Sequence, residues 1–133
     1  MSDSTILNDS SSDAQSGSLS AAVTAIDEQL SHLWMVRTFI KHSDEAQEDE
    51  DLRDIARDLY DYILAVAPAK LAEDDDAYLK MARKKFSKLR KAAELYDEIQ
   101  ADVSSHTNFE MANKSLQLVV RQIDSILQSS ESR

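Results

Sequence analysis

Two cations stand where apolar residues are expected. Arg37 falls in step with Leu30, Leu33 and Trp34, and Lys85 stands among Met81, Ala82 and Leu89. A charge on such a stripe must be paired, must reach out to water, or must meet an incoming anion. The first reading of both is an ion pair that fixes helix register, Arg37 with Asp51 or Asp54 and Lys85 with Asp27 or Asp61. The second is a ligand or anion pocket drawn from Trp34, Arg37 and Lys85. A small-molecule pocket inside the bundle, with Tyr62 and Tyr96 added to Trp34 and Arg37, is a further reading.

Charge is also segregated along the chain. Between Lys80 and Lys91 stand seven cations and no acid: Lys80, Arg83, Lys84, Lys85, Lys88, Arg90 and Lys91. Between Asp44 and Asp61 stand nine acids, interrupted by Arg53 and Arg57. A basic segment answered by an acidic neighbour is the simpler reading. A patch for phosphate, RNA or an acidic partner is the functional one, although only Phe86 offers a ring for base stacking within it.

For metal, Glu28 and His32 share a helix face, as do Asp102 and His106, each pair being four residues apart. Carboxylate-bridged metal bundles use Glu-x-x-His from two helices, and this chain has none. No metal and no other cofactor is expected.

Arg37 and His42 stand five residues apart. This spacing resembles the Arg–His motif of HEPN-type ribonucleases, which are small helical bundles. The resemblance implies that Arg37 stabilises a scissile phosphate and that His42 acts as acid or base, at a dimer cleft. Thr38 stands where that family has Asn, Asp or His, and the motif falls on the first helix rather than late in the bundle.

The elements that must position these residues are helices. Gly and Pro occur once each, against about 7% and 5% in ordinary chains, and strand signals are scarce. Apolar residues recur at helical spacing over 21–41, 45–67, 75–103 and 108–128. Pro68 is expected to end or kink the second segment at Ala67. Asp44 with Gln47, and Thr107 with Glu110, read as capping boxes. Short links make sequence neighbours antiparallel neighbours. The expected fold is all-α: an antiparallel up-down-up-down four-helix bundle over 20–129, a disordered Ser/Asp-rich tail over 1–19, and a frayed end over 130–133.

Helix 21–41 is apolar on two sides. Val23, Ile26, Leu30, Leu33 and Trp34, with Arg37 and Lys41, form the expected core stripe. His32, Met35, Val36 and Phe39 form a second strip, which calls for a partner, protein or second copy. The leading expectation is therefore a non-enzymatic protein-interaction or structural module, acting as a homodimer. An RNA-directed nuclease or RNA binder using Arg37 and His42 is the alternative. The formal net charge of −10 argues against general binding to nucleic acid or anionic membrane. The chain has no cysteine, in keeping with a cytoplasmic protein, and no apolar run of membrane-spanning length.

Overall fold

The structure, a computed structural model, describes the backbone of residues 3–131 and the side chains of residues 17–130. The expectations for side chains 1–16, and so for most of the 1–19 tail, lie outside the described residues. Those described form five helices and no strand: α1 Asp3–Lys41, α2 Asp44–Glu48, α3 Glu50–Leu71, α4 Asp75–Val103 and α5 Thr107–Glu131. Helical backbone thus continues N-terminally of Ser20. α1 packs against α3 and α5, and α4 packs against the same two helices. Among the described residues no helix is long and apolar enough to cross a membrane.

The core stripes of α3 and α5 follow the sequence pattern. Leu52, Ile55, Ala56, Leu59, Tyr62 and Val66 are buried from α3, and Phe109, Leu116, Val119, Val120, Ile123 and Leu127 from α5. On α4 the buried line also takes in Leu79, Phe86 and Gln100, while Met81, expected there, is only partly buried.

α1 turns differently from the expectation. Its buried line is Val23, Ile26, Leu30, Leu33, Val36 and Ile40; Trp34 is 43% exposed, Arg37 half-buried and Lys41 exposed. At ~100° per residue both sets lie near Leu33. Val36 and Ile40 win the core because burying Arg37 and Lys41 would cost desolvation with nothing gained.

The helix ends account for three further departures. The expected second helix is interrupted at Asp49, whose carboxylate accepts from the Leu52 amide at 3.0 Å and so starts α3 anew. Arg53 bridges the break by donating to the carbonyls of Ala46 and Gln47 at 2.9 and 3.1 Å. Both expected capping boxes shift by one residue. Ser43 caps α2, accepting from Ala46 at 3.2 Å, and His106 caps α5, its Nδ1 accepting from the Asn108 amide at 3.0 Å.

Pro68 does not end α3, which continues to Leu71. Pro68 and Leu64 are both exposed, so the missing amide falls on the solvent side of α3, where a proline is tolerated best. The stop comes at Glu73, in the left-handed region at φ 54°. The Asp74 amide donates to Ala69 O and the Glu73 amide to Lys70 O, a Schellman closure with glutamate where glycine is usual. Asp74 then caps α4 through the Ala77 amide.

Buried tyrosines tie the helices together. Tyr62 donates to Ala82 O and Tyr96 to Phe109 O, each at 3.0 Å. A buried phenol with its hydroxyl satisfied contributes ring burial without an orphaned polar group.

Candidate functional site

The seam between α1 and α3 carries the most distinctive group of side chains. Trp34 lies one residue past Leu33 on α1, and Tyr60 one past Leu59 on α3; each therefore leans out of its core stripe by ~100°. Their rings meet across the seam with centroids 5.9 Å apart and planes tilted by 48°. The Arg37 guanidinium stacks on both, its Cζ 4.9 Å from the Trp34 centroid and 4.4 Å from that of Tyr60. Such contacts stabilise by roughly 0.5–2 kcal/mol each, more where water is excluded.

Beside the stack is a cavity of about 300 Å³ lined by Arg37, Lys41, Arg53, Ala56, Arg57 and Tyr60. Four of these six residues are cations. Arg37 and Lys41 are four residues apart on α1, and Arg53 and Arg57 four apart on α3. Asp54 pairs with Arg57 at 3.1 Å rather than with Arg37, and both partners are well exposed. Among the described residues no carboxylate lies within ion-pair distance of Arg37, Lys41 or Arg53. The Arg37 Nε is buried without an acceptor. The seam thus brings four cations together beside two aromatic rings.

Of the expected pocket residues, Trp34 and Arg37 come together and Lys85 does not. Lys85 is exposed and lines a separate cavity of about 330 Å³ between α3 and α4, with Asp58, Asp61 and Lys88 among its neighbours. Asp27, its other expected partner, instead accepts from Tyr78 at 3.3 Å. Tyr62 and Tyr96 are buried at their backbone partners and do not line the Arg37 cavity. Burial pushes both phenols up from their ordinary range.

Arg37 and His42 line different cavities. His42 faces one at the α1–α2 end, with Phe39, Ser43, Asp44, Glu45, His106, Asn108 and Phe109. That His42 and His106 line one cavity has no signal in the sequence, since 64 positions separate them. Among the described residues no group of three or more His, Cys, Asp or Glu side chains is placed to hold a metal ion.

The second apolar strip of α1 does not stay together. His32 and Met35 are exposed, Met35 by 67%, but Val36 is 4% exposed and belongs to the core. Phe39 is partly buried and packs edge-on against Phe109, with centroids 4.9 Å apart. Among the described residues, two of the seven cations of the basic segment pair with an acid, and Arg83 meets only a neutral hydroxyl, its buried Nε having no acceptor. Arg83 donates to Ser130 Oγ at 2.7 Å, Lys88 pairs with Asp58 at 3.5 Å and Arg90 with Glu94 at 3.7 Å, while Lys80, Lys84 and Lys91 are exposed.

Sequence reasoning missed Tyr60, Arg53 and Arg57 as site residues. Two arginines four apart on an otherwise acidic helix, with a tyrosine three residues beyond, was the available signal. Compared with known proteins, the chain matches no family model, no curated protein and no solved structure.

Proposed function

We propose that this chain is a protein-interaction module that docks an acidic segment of a partner at the seam of α1 and α3. In this reading α1, α3, α4 and α5 form an antiparallel up-down-up-down bundle, with α2 an extra turn in the first connection. The short links and the contacts of α1 and α4 with both remaining long helices support that topology. The absence of cysteine from the sequence supports a cytoplasmic setting.

The observation that carries the reading is the Arg37 guanidinium packed over both a part-exposed tryptophan and a tyrosine that touch each other, beside a cavity lined by three more cations. Trp, Tyr and Arg are the residue types that dominate binding hot spots. A cluster of cations in a chain of net charge −10 sets up a local field opposite to that of the whole molecule. That field favours a short acidic segment over a broad anionic surface.

Trp34 is the only tryptophan, so its fluorescence reports on the site. Titration with an Asp/Glu-rich peptide at low salt should change that emission, with the response weakened by added salt and abolished in Arg37→Gln. An unchanged emission at low salt, or an equal response in Arg37→Gln, overturns the reading.

A further inference from the structure

We propose that the anion held at the α1–α3 seam is a phosphate monoester carried on a side chain of the partner segment. The inference rests on the reading of the seam as a docking site for an acidic segment, and narrows it to one chemistry.

The number of cations is the first argument. Arg37 with Lys41, and Arg53 with Arg57, are two like-charged pairs at helical i, i+4 spacing, and they face one another across one cavity. Each such pair destabilises its helix by about 0.2–0.5 kcal/mol, and their confrontation adds to that. Among the described residues only the carboxylate of Asp54 answers them, at the exposed Arg57. One carboxylate from outside would bring one charge and two oxygens. A phosphate monoester brings a charge of about −1.5 to −2 and three acceptor oxygens, which suits four cations better.

The kind of cation is the second argument. Three of the four are arginines, whose planar fork matches two phosphate oxygens at once, whereas lysine acts as a point charge. Each arginine is already held by another group. Arg37 is held by two rings, Arg53 by the carbonyls that end α2, and Arg57 by Asp54. Side chains ordered before the ligand arrives lose little freedom on binding. At about 300 Å³ the cavity is at the small end of ligand sites, suited to a phosphoryl group and the start of its carrier.

The test is calorimetric titration of the full chain with three probes. These are a peptide bearing one phosphoserine among acidic residues, the same peptide with Asp in that place, and inorganic phosphate. The phosphopeptide is expected to bind at least about tenfold tighter than the Asp peptide, and inorganic phosphate to compete only weakly. Arg37→Lys keeps the charge and loses the fork, so it should remove most of the phosphopeptide's advantage while the Asp peptide is little affected. Arg57→Gln should weaken the phosphopeptide by a similar factor, and Lys84→Gln, an exposed cation outside the cavity, should leave it unchanged; circular dichroism checks that each variant is folded. Equal affinity for the two peptides overturns the phosphoryl assignment and leaves the acidic-segment reading standing. Inorganic phosphate binding as tightly as the phosphopeptide overturns the partner side chain as the source. Failure of both peptides overturns the inference together with the reading beneath it.

Discussion

Tyr78 on α4 donates its hydroxyl hydrogen to Asp27 Oδ1 on α1, across 3.3 Å. Tyr78 is fully buried, and burial is the main cause that pushes its phenol upward; the negative charge of Asp27 adds to it. The same direction holds for Tyr62 and Tyr96, by burial alone.

Those shifts fix how stability depends on alkaline pH. A phenol whose folded value is raised contributes stability that is complete below the unfolded value of about 10 and is lost as pH rises beyond it. The helical signal should therefore hold up to about pH 10 and then fall, with tyrosinate absorbance from Tyr62, Tyr78 and Tyr96 appearing in the same step. Ionisation of all the tyrosines near pH 10 with the helices intact would contradict their burial.

Glu73 occupies a left-handed position that glycine takes without a Cβ penalty. Glu73→Gly should raise stability by about 1 kcal/mol, since relief of roughly 1–2 kcal/mol exceeds the added freedom of the unfolded chain. Urea unfolding reads the change directly, and a lower midpoint would show that the side chain does more than fill the turn.

Val36 and Met35 are adjacent yet face opposite environments. Val36→Asp buries a charge with no partner and should cost several kcal/mol, enough to unfold a domain of ordinary stability. Met35→Asp should change stability by less than about 0.5 kcal/mol. Light scattering on wild type and Met35→Asp then tests self-association through the exposed part of α1, because only that variant keeps the fold. A dimer lost in folded Met35→Asp would place His32 and Met35 at an interface between copies; equal masses would exclude them.

His106 and Thr107 divide the two accounts of how α5 starts. The imidazole Nδ1 of His106 accepts from the Asn108 amide, which makes His106 the cap. His106→Ala should cost about 0.5–2 kcal/mol by thermal unfolding, and Thr107→Ala distinctly less. The reverse order would restore the Thr107–Glu110 capping box read from the sequence.

The helical class was legible because α3, α4 and α5 each have one apolar side, and a helix with one apolar side has one way to face a core. α1 was not legible in detail, since it has apolar residues on nearly every side, and which stripe turns inward depends on what α3 and α5 present. The break at Asp49 was hidden by the acids around it, each of which suits the first turn of a helix. Trp34 and Arg37 stood out as a pair, but on the assumption that they were core. Tyr60, Arg53 and Arg57 complete the site only when α3 is laid against α1, and no spacing within either helix announces that register.

The pairing of α1 with α5 joins the first and last of the described helices, whereas α1–α3, α3–α4 and α4–α5 join neighbours across short links. Local contacts close faster than distant ones, so the α1–α5 pairing is expected to form after the others. Loosening that last seam, for instance by Phe109→Leu opposite Phe39, should leave the folding rate nearly unchanged and speed unfolding. The contact expected to set how long the fold lasts thus joins the first and last helices at the end of the bundle where the α1–α2 and α4–α5 connections lie.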